Sequence, residues 1–337
     1  MKRSNEKILS VPTNVISGFL GAGKTTAIMH LLQQKPSNER WAILVNEFGE
    51  IGIDGSLFNG LIKNTNKVFI KEVPGGCMCC ASSLPMQVAL NQLLKEAKPH
   101  RLLIEPTGLG HPLEVLQLLS NEYYQKSLSL EKTLTLVDAR HLNDCRFTEH
   151  STFNQQLQVA DVIIGNKVDL YDDQDKEALI HYIKDHGYTT EPISFIERAK
   201  VKLEWLAGKT NYKSKNDSKT KYHHHSSTIR DLNTEPPVRN NGFIKTINQG
   251  EDYYCIGWKI APEKIFNQAH LLAFLREIVA IRVKAVFITN NGVYSYNNTA
   301  DGIQEIKLDV GNESRIEIIC DNIDETWEHD LMKTLVK

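Results

Sequence analysis

The chain has 337 residues, 39 Lys and Arg against 41 Asp and Glu, a net charge of -2 and 41% apolar residues. That balance excludes global disorder and the strongly basic field of a nucleic-acid or anionic-membrane binder. No apolar run reaches the roughly 18 residues of a membrane span, and MKRSNEKILSVPTNVISGF at the start holds no continuous apolar core of signal-peptide length, so a cytoplasmic protein of two domains is expected.

From residue 13 to about residue 208, short apolar runs alternate with helical patterns. NVISGF, WAILVNEF, KVFIKEV, RLLIE, TLTLVDA and DVIIGNK are apolar at successive positions, the mark of strands covered on both faces. TTAIMHLLQQ and PMQVALNQLLKEA between them repeat apolar residues three and four apart. Residues 1–209 therefore read as an α/β domain, a mostly parallel sheet wrapped by helices. Residues 210–241 are polar, carry the run His223-His224-His225 and read as a flexible linker. Residues 242–337 read as a small α+β domain. YYCIGWKI, VKAVFIT, GVYSYNN and RIEIIC are its strands, Asn290-Asn291-Gly292 a hairpin turn, 262–278 a helix and 325–335 a closing helix.

Gly18-Phe-Leu-Gly-Ala-Gly-Lys-Thr25 matches G-x-x-x-x-G-K-[ST] between a strand and a helix. Gly18, Gly21, Ala22 and Gly23 would wrap backbone N–H groups around phosphate oxygens, with Thr26 in the first helical turn. Lys24 would neutralise the β- and γ-phosphates and Thr25 would offer a hydroxyl to Mg²⁺. A carboxylate is needed beside that ion. Glu105 after RLLI and Asp138 after TLTLV both qualify, and Glu105 is preferred because it opens Glu-Pro-Thr-Gly108, whose glycine can bring an N–H to the γ-phosphate. Asn166-Lys167-Val-Asp169 follows the strand DVIIG. A carboxylate there pairs with N1–H and the 2-amino group of guanine, which adenine lacks, so GTP is the expected nucleotide.

Pro74-Gly-Gly-Cys-Met-Cys-Cys80 puts three of the six cysteines into four positions. Closed structural zinc sites pair cysteines from two segments, but no second pair follows. Cys77, Cys79 and Cys80 with a weaker fourth ligand (water, Glu50 or a His) leave a position open to exchange. Thiolates suit Zn²⁺ or Cu⁺ and disfavour Mg²⁺ and Ca²⁺. Cys145, Cys255 and Cys320 stand apart and read as small buried apolar residues. His223–His225 could collect metal from the linker, and His111 reads as a loop residue, with approach to the cysteine cluster as the alternative.

Together, GFLGAGKTT, VNEFGEIGIDG, PGGCMCC, EPTGLGHP and NKVD resemble the CobW-like family of metal-associated GTPases, and within it a zinc-binding bacterial branch, over nearly the whole chain. The resemblance implies a P-loop GTPase domain with a small CobW-type C-terminal domain. It also implies slow GTP hydrolysis coupled to handling of a transition metal, most often zinc, with GTP, Mg²⁺ and Zn²⁺ bound. Gly21, Gly23, Lys24, Thr25 and Thr26 fall on the family's phosphate loop, Glu105 and Gly108 on its Walker-B-like segment, Asn166, Lys167 and Asp169 on its base motif, and Cys77, Cys79 and Cys80 on its C-x-C-C motif. Its first switch often begins with an acidic residue where this chain has Val45, leaving Glu47 and Glu50 as carboxylates there. The expected function is a zinc metallochaperone that hands metal to a client metalloprotein, with a nucleotide-dependent homodimer as its assembly. A zinc buffer or sensor stabilised by nucleotide and a small-molecule phosphotransferase are the alternatives, and NKVD favours GTP hydrolysis over the latter.

Overall fold

A computed structural model describes residues 8–46, 67–73, 84–188, 193–213, 242–249, 253–299, 302–308 and 313–336. The first unit runs β1 (Val11–Gly18), α1 (Lys24–Gln33), β2 (Trp41–Asn46), β3 (Val68–Val73), α2 (Leu84–Ala97), β4 (Arg101–Glu105), α3 (Pro112–Leu119), β5 (Leu128–Leu130) and β6 (Leu134–Val137). It continues with α4 (Cys145–Thr148), α5 (Ser151–Gln158), β7 (Val162–Gly165), α6 (Asp175–Asp185) and β8 (Ser194–Phe195). Among the described residues these strands form one parallel sheet in the order β3-β2-β4-β1-β6-β7-β8, with β5 also on β1.

The continuous apolar runs have a direct cause. Consecutive side chains point to opposite faces of a strand, and both faces here are covered. Val15, Leu44 and Ile104 enter a core with α2 and α3, while their neighbours Ile16, Ile43 and Leu103 enter another with α1. Val45, where an acidic residue was a family expectation, is 1% exposed in that second core. After β4 the chain crosses to the other side of β1, so the carboxyl ends of β1, β4 and β6 face an open crevice, the usual ligand position in such sheets.

The second unit runs β9 (Phe243–Gln249), β10 (Tyr254–Ile260), α7 (Gln268–Glu277), β11 (Arg282–Thr289), β12 (Gly292–Thr299), β13 (Gly302–Leu308), β14 (Ser314–Cys320) and α8 (Trp327–Lys333). Its strands form an antiparallel sheet in the order β13-β12-β11-β14-β10-β9. One face, with Trp258, Val283, Phe287 and Ile318, packs on Leu271, Leu275 and Leu331 of α7 and α8. The hairpin at Asn290-Asn291 closes with Thr289 opposite Gly292, whose φ of +124° suits glycine.

Two details differ from the sequence reading. The helix expected from residue 262 begins at Gln268, because Phe266 bonds sideways to β11: its N–H donates to Ile288 O at 3.0 Å and its carbonyl accepts from Asn290 N at 2.9 Å. Asn267 then caps the helix, its side chain accepting from His270 N at 3.1 Å. Cys145 is exposed rather than buried, whereas Cys255 and Cys320 are buried as expected. Burial pushes the Cys320 thiol up to about 11, away from thiolate chemistry. No helix among the described residues is long and apolar enough to cross a membrane.

The two units touch through an apolar cluster in which Tyr253, Cys255 and Ile319 of the second meet Phe19, Leu20 and Phe153 of the first. His150 stacks on Tyr253 with ring centroids 5.8 Å apart. This contact turns the helix-free face of the antiparallel sheet toward the loop after β1.

Candidate functional site

The turn from the end of β1 into α1 depends on Gly18, Gly21 and Gly23, all at positive φ. Gly23 has φ +97°, and a Cβ there would lie 2.5 Å from Asn166 Nδ2. A Cβ on Gly108 would lie 2.8 Å from Leu20 Cδ2 and 3.0 Å from Leu20 N, so the segment after β4 sits directly against the loop. Gly108 is held there by its carbonyl, which accepts from Gln156 Nε2 at 3.0 Å. Lys24 opens α1 at 6% exposure, and its ammonium donates to Gly18 O at 2.8 Å and Phe19 O at 3.2 Å. A buried cation curled onto carbonyls at the mouth of a glycine loop is a charge held for an anion.

Thr25 follows, and its hydroxyl donates to Glu105 Oε1 at 2.8 Å. Glu105 is 3% exposed at the end of β4. A hydroxyl and a buried carboxylate side by side are the hard oxygen ligands that Mg²⁺ takes, and these residues fit that ion. Asp138, the other candidate carboxylate, is engaged elsewhere. It accepts from Arg140 Nε at 2.9 Å and lies 3.1 Å from Lys167 Nζ. Burial opposes its charge, but the bonds from Arg140 and the positive charge of Lys167 and His141 outweigh that and hold its carboxyl below the usual range.

Asn166 is 2% exposed and works as a bracket. Its Nδ2 donates to Ala22 O at 2.9 Å, and its Oδ1 accepts from Ala199 N at 2.8 Å, tying the phosphate loop to the segment after β8. Asn166→Ala strands both backbone groups in the interior, at about 1–3 kcal/mol each. The variant is expected to lose about 2–6 kcal/mol of stability in urea unfolding and to bind nucleotide more weakly; an unchanged midpoint sinks the bracket. Lys167 adopts φ +67°, and Asp169 is exposed in the turn that follows. Gly21 and Lys167 also border a cavity of about 840 Å³ that reaches His141, Phe147 and Arg276.

Lys24, Thr25, Thr26, Glu105 and Gly108 line one side of a second cavity of about 380 Å³. Its other side is the antiparallel sheet, including Arg282, Lys284, Asn297 and Glu317. These residues escaped the sequence reading. The charges at 282 and 284, two apart in a strand, mark a polar face, but nothing local says what that face meets.

Cys77, Cys79, Cys80, Glu47, Glu50 and His223–His225 lie outside the described residues. Among the described residues no group of three or more His, Cys, Asp or Glu is placed to hold a metal. His111 precedes α3, with Nδ1 3.2 Å from Gln155 Oε1.

Residues 12–191 match the nucleotide-binding domain of the CobW/HypB/UreG family. The chain belongs to this family. It is 37% identical over 308 residues to the zinc chaperone YeiR of Escherichia coli (strain K12), covering 91% of this chain and 92% of that protein. A match to the zinc chaperone CobW of a Sinorhizobium species is 30% identical over 185 residues and covers 48% of this chain and 52% of that one. The solved structure of Zn(II)-bound YjiA GTPase from E. coli is 17% identical, with a TM-score of 0.42 and coverage of 97% of this chain and 99% of that one.

Proposed function

We propose that this chain is a zinc-handling GTPase: it hydrolyses GTP to GDP and phosphate, and holds zinc on Cys77, Cys79 and Cys80 for delivery to a client metalloprotein. The observation that carries the GTPase part is the 2.8 Å bond between Thr25 and Glu105 beside the buried Lys24. The family's nucleotide-binding domain and two relatives named zinc chaperones support it.

In this reading the glycine loop and Lys24 bind the triphosphate, and Asn166 keeps the loop in register with the base side. Thr25 and Glu105 would hold Mg²⁺, which when bound offsets charge on the β- and γ-phosphates. Asp169 reads guanine. Gly108 brings the β4 segment against the loop, where loss of the γ-phosphate would be felt. The thiolates precede this segment in sequence and follow VNEFGE, so two nucleotide-sensitive stretches flank the metal site.

The test is phosphate release from GTP with Mg²⁺, with and without zinc. Glu105→Gln keeps an acceptor for Thr25 but removes the charge, and kcat should fall on the order of 10²-fold with the melting temperature unchanged. Full turnover in this variant would remove Glu105 from the site. A wild-type protein that binds GTP without turnover would favour the buffer reading.

A further inference from the structure

The antiparallel sheet uses its two faces differently. Along β11, Val283, Ala285 and Phe287 enter the core with α7 and α8, so Arg282 and Lys284 point the other way. From β14, Glu317 and Ile319 share that outward face. A free sheet face can carry charge at little cost because water solvates it. This face is only partly solvated, because it forms one wall of the cavity whose opposite wall is Lys24, Thr25 and Glu105, and Arg282 and Lys284 are half-buried there.

The charges on it are not equally matched. Lys284 stands directly across the ladder from Glu317, an acidic cross-strand partner, which is 2% exposed. Arg282 stands across from Ile319, which offers no charge. Its Nε is buried and makes no hydrogen bond among the described residues. A guanidinium fork with a buried unbonded N–H, lining a cavity with a phosphate loop, has the chemistry for a phosphate oxygen. The cavity volume of about 380 Å³ is in the range of small-ligand sites.

We infer that Arg282 is a nucleotide ligand supplied by the C-terminal sheet: it bonds the terminal phosphate of the bound triphosphate and makes that sheet a further part of the molecule that distinguishes GTP from GDP. The inference rests on the GTP reading above. Loss of the γ-phosphate removes the oxygens Arg282 holds and leaves its N–H buried without a partner. The second unit is thereby favoured against the loop by GTP and less so by GDP.

The experiment is calorimetric titration of the full chain with GDP and with a non-hydrolysable GTP analogue in Mg²⁺. Arg282→Ala should weaken the analogue about 10–100-fold and change GDP affinity less than about two-fold. Arg282→Lys should recover part of the loss, since a point charge replaces the fork. Equal losses for both nucleotides would mean that Arg282 only supports the fold, and unchanged analogue affinity would mean that it does not reach the phosphate; either overturns the inference. A wild-type chain that binds neither nucleotide overturns the GTP reading along with it, whereas tight wild-type binding that survives in Arg282→Ala overturns the role of Arg282 alone.

Discussion

Asp169→Asn is expected to lower GTP affinity by about 10²–10⁴-fold while xanthosine triphosphate becomes the better ligand. The size follows from two charge-assisted hydrogen bonds, to N1–H and the 2-amino group, each contributing about 1.5–3 kcal/mol. An asparagine can accept from N1–H, but its amide NH₂ then faces the 2-amino group, donor against donor. Xanthine carries a carbonyl oxygen at that carbon, so the same amide finds an acceptor. The substitution is also structurally quiet. Asp169 is exposed in a short turn whose preceding residues are fixed independently, Asn166 by Ala22 and Ala199 and Lys167 by Asp138. Competition calorimetry with the two triphosphates reads the result. A variant that keeps its preference for GTP would move base recognition away from Asp169.

Much of the first unit was legible because its signals are local. NVISGF, RLLIE and DVIIGNK are apolar on both faces, which only a covered strand tolerates, and the glycine pattern between β1 and α1 describes a backbone shape more than a side-chain preference. Asn166 shows the limit. Its motif points to the base, yet its amide is used to join Ala22 to Ala199, a contact spanning 144 and 33 residues of sequence separation. Arg101 is similar: its bond to Asn14 Oδ1 at 2.6 Å, with Asn14 Nδ2 donating to Lys132 O and Leu206 O, joins four distant segments by polar groups that no periodicity reveals.

The second unit was less legible. β13, GIQEIKL, is mostly exposed and polar, so alternation there carries little contrast between the two faces. The helix start at Gln268 depended on Phe266 pairing with β11, a tertiary contact that overrode the helix-compatible Pro262. Most consequential is the sheet face with Arg282, Lys284 and Glu317. Read locally, alternating charge on a strand is a solvated face. The packing of Ile319 and Tyr253 on Phe19 and Leu20 brings that face over the phosphate loop, where the same residues line a cavity opposite Lys24, Thr25 and Glu105.

The largest loss of metal binding is expected from the double variant Cys79→Ser, Cys80→Ser. A zinc site built on thiolates is worth about 10–16 kcal/mol, and serine hydroxyls stay protonated near neutral pH. If two of four ligands carry half of that, zinc affinity falls by about 10⁴–10⁶-fold, while GTP affinity stays at the wild-type value. Chelator competition measures the first and calorimetry the second; unchanged zinc affinity would remove the cluster from the metal site. The same assay, run on the wild type with GDP and with the GTP analogue, decides how metal leaves. Coupling between two sites is typically about 1–3 kcal/mol, or 5–150-fold in affinity, far less than the free energy of a well-formed zinc site. Hydrolysis can therefore loosen the metal without expelling it, and a client with competing ligands must complete the transfer. A several-fold difference between the two nucleotide states supports this delivery cycle. Equal affinities mean that the thiolates do not read the nucleotide, and zinc is then held without being handed on by hydrolysis.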